Sequence, residues 1–580
     1  MDMFRRYSRA LIVGALVCAG VGTTGAQKRS SAVPSSPSDK AVIHVLNRIG
    51  FGPAQGDVER VRRIGLAAYM EQQLQPDRLP DEKLEARLAG FGTLKLSTQD
   101  IARNYYLPAQ MARRQAQRTK GNDPAMTTDT PAVPGMTGMA PGRPGVEGKD
   151  RTPEERKAAQ AERVVLAELM QQKVLRAAYS DKQLQEVMVD FWFNHFNVFA
   201  GKGQTRIYLT EYERDTIRPR VFGKFRDLLG AVAEAPAMLF YLDNWQSSAP
   251  EGTAMTQMNQ QDGRRQQRMQ RRGAMRGGGA GAGRPGMAGR GGTMADLPQA
   301  RQNRRPRGVN ENYARELMEL HTLGVDGGYT QKDVQEIARA FTGWTLSQPR
   351  QGGSFRFEPR MHDNGEKTVL GMHLKKGGGK KDGEHVLDLL AKHPSTATFV
   401  ATKLARRFVS DNPPRALVER AASRFRETDG DIREVVRTII TSPEFFDTAA
   451  YRAKVKSPFE FVASAIRATG ADAVNALPLV QQLRELGMPL YGAQPPTGYA
   501  DRADAWVNTG ALLNRMNFAL ALSSGKLRGV TPTAAMSQQW IASGALAGDV
   551  SEPTRATVAK ATEPAQAVAL LLGSPEFQRK

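Results

Sequence analysis

The chain has 580 residues, a net charge of +22 and one cysteine. That length supports two or more lobes held by buried apolar area, and Cys18, inside an N-terminal export segment, leaves the exported protein without disulfides, thiolate metal ligands or a cysteine nucleophile. No run after residue 26 approaches the ~20 apolar residues that a membrane span requires.

Arg5, Arg6 and Arg9 precede an apolar run from Ala10 to Val21, and Thr24-Gly25-Ala26 has the small residues that signal peptidase cuts after. This layout predicts a secretory signal over 1–26, a linker over 27–39, and an exported protein, periplasmic or extracellular. The arginine pair leaves twin-arginine export open beside the general secretory route.

Residues of about 118–150 are rich in Pro, Gly, Thr and Met, and a second biased stretch covers 247–308. Within 251–308, twelve arginines stand against three acids, a net +9 in a segment of mostly Gly, Gln, Met and Arg. Such composition buries too little apolar surface to offset the entropy of ordering, so both stretches are predicted as disordered insertions. The basic one concentrates charge suited to weak polyanion contact, with a solvated loop as the plainer reading. Gly281, Gly283 and Gly286 spell a dinucleotide fingerprint, but no strand precedes them.

Between these insertions the pattern is helical. Thr152-Pro153-Glu154-Glu155 opens a helix toward Tyr179. Leu184, Met188, Phe191 and His195 share one stripe of "QLQEVMVDFWFNHFNVF" (183–199), which puts His195 on the core side. In "ENYARELMELHTLGVDGGYT" (311–330), Tyr313, Leu317 and Leu320 form the apolar stripe, and Gly324 is positioned to end the helix. Glu316 and His321 are five residues apart, about 140° round such a helix, so they cannot share one ion from it. Glu316 lies near the buried boundary, while Glu319 is placed in solvent. Thr330 and Asp333 cap the next helix.

The β signal is "SFRFEPRMHDNGEKTVLG" (354–371), read as a hairpin turning at Asn364-Gly365, with His362 and Asp363 beside the turn. Ala397, Val400, Ala401, Leu404 and Phe408 mark a further helix, and Ser457-Pro458-Phe459-Glu460 caps another that stops at Gly470. Ser-Pro-Glu-Phe occurs at 442–445 and 574–577, a serine cap followed by proline in both places. The fold class is therefore mainly α, a multi-helix globular protein with a small hairpin and two low-complexity insertions.

H-E-x-x-H, G-x-S-x-G and a phosphate-binding loop are all missing. His195, Glu316 and His321 are the candidate catalytic groups, and His195, His362, Asp363 and Glu316 the candidate ligands of a divalent metal. Each has a plainer reading, as a hydrogen-bonded core histidine or a turn-stabilising pair.

Together the segments "HVLNRIGFGP" (44–53), "FWFNHFNV" (191–198), "NENYARELMELHTLGVDGGYTQKDVQEIARAFTGW" (310–344), "HDNGEK" (362–367) and "HPSTATFVATKLARRFV" (393–409) resemble a bacterial family catalogued as domain of unknown function eighteen-hundred. The resemblance spans about 40–525 and leaves 526–580 as a helical extension. "LGMPLYGAQPPTGY" (486–499) is similar to the family's proline-glycine stretch, with Tyr499 where tryptophan is expected. The resemblance implies export and places His44, His195, Glu316, His321, His362 and Asp363 in family motifs. It also implies a neighbouring exported, sulfatase-like product as a partner. Two readings stand: a metal-assisted hydrolase whose cleft gathers His195, Glu316, His321, His362 and Asp363, and a non-catalytic envelope protein that binds or matures a partner.

Overall fold

A computed structural model describes residues 32–120, 153–250, 308–533 and 537–580. The predicted signal, most of the 118–150 stretch and the arginine-rich stretch at 251–307 lie outside the described residues.

Polar caps set several helix starts. In α1 (Asp39–Arg48), Ser38 Oγ accepts the Ala41 N–H. The long α2 (Pro153–Tyr179) runs into α3 (Gln183–His195) with three residues between them. On α3 the predicted stripe of Leu184, Met188, Phe191 and His195 is buried. α4 (Glu311–Glu319) is capped by Asn310, and α5 (Gln331–Ala340) by the predicted Thr330–Asp333 box. α6 (Lys380–Lys392) and α7 (Pro394–Phe408) meet at His393. α8 (Arg415–Glu427) and α9 (Ile432–Ile440) pack beside α7, and α10 (Pro458–Thr469) has the predicted Ser457–Glu460 box and a left-handed Gly470 at its end. α11 (Thr509–Ser523) packs on α12 (Pro564–Leu572), so residues beyond 525 share the core with the rest. Both Ser-Pro-Glu-Phe tetrapeptides are short helices with the serine as cap, and each seats its phenylalanine in the core.

Two sequence expectations need correction. α4 ends at Glu319, not at Gly324. Thr322 Oγ1 donates to the Leu317 carbonyl, and the Leu323 and Gly324 N–H groups both turn back to the Met318 carbonyl, which takes up the last carbonyls early. His321 therefore lies past the helix, and the angular argument about it does not apply. Nor do the strands pair across Asn364-Gly365. β1 (Trp344–Leu346) pairs antiparallel with β2 (Phe355–Phe357), and β3 (Lys367–Val369) with β4 (Met372–Leu374). The second hairpin turns at Leu370 and Gly371, both with positive φ as a primed turn requires. Asp363 instead caps its own turn by accepting the Gly365 N–H. A third short pair joins β5 (Asp472–Ala473) to β6 (Val530–Thr531).

Among the described residues no helix is long and apolar enough to cross a membrane.

Candidate functional site

His195 closes α3 inside an aromatic shell of Phe191, Trp192, Phe196 and Phe399. Its Nε2 lies 3.1 Å from the His321 carbonyl oxygen and its Nδ1 2.8 Å from Lys403 Nζ. Nε2 therefore carries the proton and donates, while the Nδ1 lone pair receives the lysine N–H. Burial, reinforced by the Lys403 charge, drives the His195 pKa well below its ordinary value. The His321 ring lies 6.2 Å from that of His195, and burial with Lys403 holds its pKa at about 3. Lys403 is in turn lowered to about 8 by burial and by Arg406. These are neutral imidazoles inside a packed wall.

The other candidates have separate partners. His362 Nδ1 faces the Thr342 carbonyl at 2.8 Å and its Nε2 faces Asp382 at 3.2 Å, with Lys367 on the same carboxylate at 2.8 Å. Asp363 receives Arg339 on both oxygens, at 2.8 and 3.2 Å. Glu316 is half-buried, with its pKa raised by burial and by Glu319. Glu319 is itself partly covered and pairs with Arg315 at 3.5 Å rather than standing in solvent. His44 bonds the Phe445 carbonyl through Nε2 at 2.8 Å. The structure thus joins His195 with His321, but ties His362 to Asp382 and Asp363 to Arg339. Among the described residues no group of three or more His, Cys, Asp or Glu is arranged to hold a metal ion.

A cleft opens instead on the neighbouring face of α3. It is small, with a cavity volume of about 70 Å³, and its walls include Lys173, Asp190, Asn194, Arg407, Tyr499 and Trp506. The "FWFNHFNV" motif supplies part of its wall. Phe191, Phe193, Asn194 and Asn197 line the cleft, and His195 and Phe196 are packed in the core behind them. Asn194 clamps the proline-glycine loop, its amide donating to the Tyr499 carbonyl at 2.8 Å and its oxygen accepting the Tyr499 N–H at 2.7 Å. Asn197 donates to the Ala493 and Pro495 carbonyls at 3.0 and 2.9 Å. Gly498 fits this clamp because its φ is +71° and a Cβ there would stand 2.4 Å from the Asn194 oxygens.

The loop's other anchor is Tyr491, a non-glycine residue at φ 55°. Its hydroxyl donates to the buried Glu213 at 2.7 Å, and its carbonyl receives the Ala200 N–H at 3.0 Å. These bonds offset the cost of a left-handed tyrosine. Lys173 pairs with Asp190 at 3.0 Å and lies 5.3–5.5 Å from the centres of Phe193, Phe459 and Tyr491. Tyr499 and Trp506 pack ring to ring, 5.9 Å apart, on the loop side. The inner end is charged: Arg407 Nη1 bonds Glu460 at 2.5 Å, and Asp501 pairs with Lys454 at 2.9 Å. Burial alone would raise the Glu460 carboxyl, but Arg407 and Lys580 hold it far below the usual carboxylate range.

Sequence reasoning passed over Asp190, Arg407 and Asp501, and read Glu460 as a helix cap alone. A signal was present for three of them: Asp190 interrupts "VMVDFWF", Glu460 interrupts "PFEFVA", and Arg407 lies three residues after core Leu404 on the inward stripe of α7. A charge set in an apolar face is expensive unless partnered, so its presence marks a built polar site.

The family described as Protein of unknown function (DUF1800) matches residues 44–579. This chain belongs to that family. The match continues through the segment beyond 525, in line with the packing of α11 on α12. Neither the curated proteins nor the solved structures give a match.

Proposed function

We propose that this family member is an exported, non-catalytic protein that binds a segment of a partner polypeptide in the cleft between α3 and the 486–506 loop. The observation that carries this reading is the cleft's makeup. Aromatic rings line its mouth, charged groups lie within, and the asparagines beside them are spent on holding the loop in place. Rings of this kind provide contact area at little conformational cost, which suits recognition. The metal-hydrolase alternative draws no support from the arrangement of His195, Glu316, His321, His362 and Asp363, since His195, His362 and Asp363 are each bonded to separate partners. Export rests on the basic, apolar and small-residue layout of residues 1–26.

The exported sulfatase-like product implied by the family resemblance is the first partner to test. Co-purification of the two proteins should fall at least tenfold with Trp506→Ala and stay unchanged with His195→Gln. Retention by Trp506→Ala together with loss by a folded His195→Gln would reject the cleft as the binding site.

A further inference from the structure

Away from the cleft, a second cavity of about 340 Å³ opens between the helix Glu82–Leu88, the turn Gly92–Lys95, α2 and the segment 210–218. It is several times larger than the cleft and shares no wall residue with it. Its volume falls in the range of small-molecule sites. Leu88, Ala89, Phe91, Leu94 and Leu169 provide an apolar lining. The lip at 92–95 is fixed from two sides. Glu168 accepts the Thr93 N–H at 2.8 Å and the Thr93 hydroxyl at 2.6 Å, while Arg214 Nη1 donates to the Leu94 and Leu96 carbonyls at 2.5 and 3.0 Å. These polar groups of the lip are thus satisfied within the protein, and its apolar side chains are held ready for a guest.

The charge around this lining is one-sided. Lys95, Arg176, Arg214 and Arg218 line the cavity against the single carboxylate of Glu85. Arg218 is matched by Glu186 at 2.6 and 3.0 Å and Arg214 by Asp215 at 2.8 and 2.6 Å, so these two are committed. Arg176 is held less well. Its Nε donates to Gln172 at 2.9 Å, but Nη1 and Nη2 share one oxygen of Glu85 at 3.5 and 3.4 Å, and Glu186 lies 3.9 Å away. A guanidinium that grips a two-oxygen anion does so through two parallel bonds of about 2.7–2.9 Å. The Glu85 side chain is 62% exposed, where such a pairing contributes little and exchanges readily. The Arg176 side chain keeps 17% of its surface accessible, so its fork is both under-filled and reachable.

We infer that this cavity binds a small, free anionic amphiphile. Its carboxylate or sulfonate head lies on Arg176, assisted by Lys95, and its apolar body rests against Leu88, Phe91, Leu94 and Leu169. Glu85 is the rival that the head displaces. The site is separate from the partner cleft and goes beyond that reading.

Calorimetric titration of the full chain with octanoate tests this, with acetate as the head alone and octanol as the body alone. The expected result is one saturable site for octanoate and for octanesulfonate, with acetate and octanol at least tenfold weaker. Arg176→Gln should lose at least tenfold in octanoate affinity. Leu94→Trp fills the cavity from its half-buried lip and should lose octanoate as well. Glu85→Gln removes the rival at an exposed position and should tighten octanoate about threefold. That variant keeps the test decisive if circular dichroism shows Arg176→Gln to be unfolded.

Octanol binding as tightly as octanoate, or octanoate affinity unchanged in folded Arg176→Gln, overturns Arg176 as the anchor, and weaker octanoate binding in Glu85→Gln overturns Glu85 as the rival. No saturable octanoate binding, or binding unchanged in Leu94→Trp, overturns the cavity site. Flotation with phosphatidylglycerol vesicles separates a free ligand from a membrane lipid. The chain should stay in solution, and capture by vesicles that is lost in Arg176→Gln would overturn the free-ligand assignment. None of these outcomes bears on Trp506-dependent co-purification of the partner, so the two readings fail separately.

Discussion

Replacing Asn194 by alanine removes both hydrogen bonds that clamp Tyr499 and strands the Tyr499 N–H and C=O against the wall of the cleft. A net contribution of about 1 kcal/mol per bond, with a penalty of about 1–3 kcal/mol where a stranded group stays dry, gives a loss of roughly 2–5 kcal/mol. The loop is also held by Asn197 and Tyr491, so it should loosen locally rather than detach. Urea denaturation should show the lower midpoint, and limited proteolysis should cut within 486–506 at least tenfold faster than in the wild type. An unchanged midpoint together with unchanged cleavage would refute the clamp.

Gly498→Ala should act on the same clamp, since a left-handed alanine costs about 1–2 kcal/mol before its Cβ meets the Asn194 oxygens; urea midpoints check it, and a neutral result would contradict the geometry. His321, with a folded pKa of about 3 against 6.5 unfolded, takes up a proton in the unfolded chain first. Stability is therefore full above pH 6.5 and falls as pH drops from 6.5 toward 3, by about 2–3 kcal/mol for this group at pH 4.5. His321→Gln should flatten the change in urea midpoint between pH 7 and 4.5; an equally steep change would contradict the assignment. Zinc, manganese or calcium should leave the melting temperature unchanged, and a rise abolished by His195→Ala would restore a metal-centred reading.

Much of the helical frame was legible because its signals are local. Ser457 with Glu460 and Thr330 with Asp333 cap helices through bonds spanning three residues, and the 3.6-residue period of α3 and α7 fixes which side chains face inward. The hairpin was misplaced because Asn364-Gly365 satisfies a turn by itself, while the partner of Phe355–Phe357 arrives from Trp344–Leu346 on the other side. The site was missed for a similar reason. Arg407 and Glu460 meet across 53 positions of chain, and Asn194 meets Tyr499 across 305. The histidines drew notice by residue type, yet in the fold they fill an aromatic core, where a neutral imidazole can exchange two hydrogen bonds with a carbonyl and an amine.

The central claim is that partners meet this protein at the Tyr499–Trp506 wall rather than at its histidines. The most direct measurement is hydrogen exchange across the full chain with and without the proposed partner, a sulfatase-like protein. The account predicts slowed exchange over 486–506 and at the end of α3, with 362–374 unchanged. Protection confined to 362–374, with 486–506 unaffected, would contradict it.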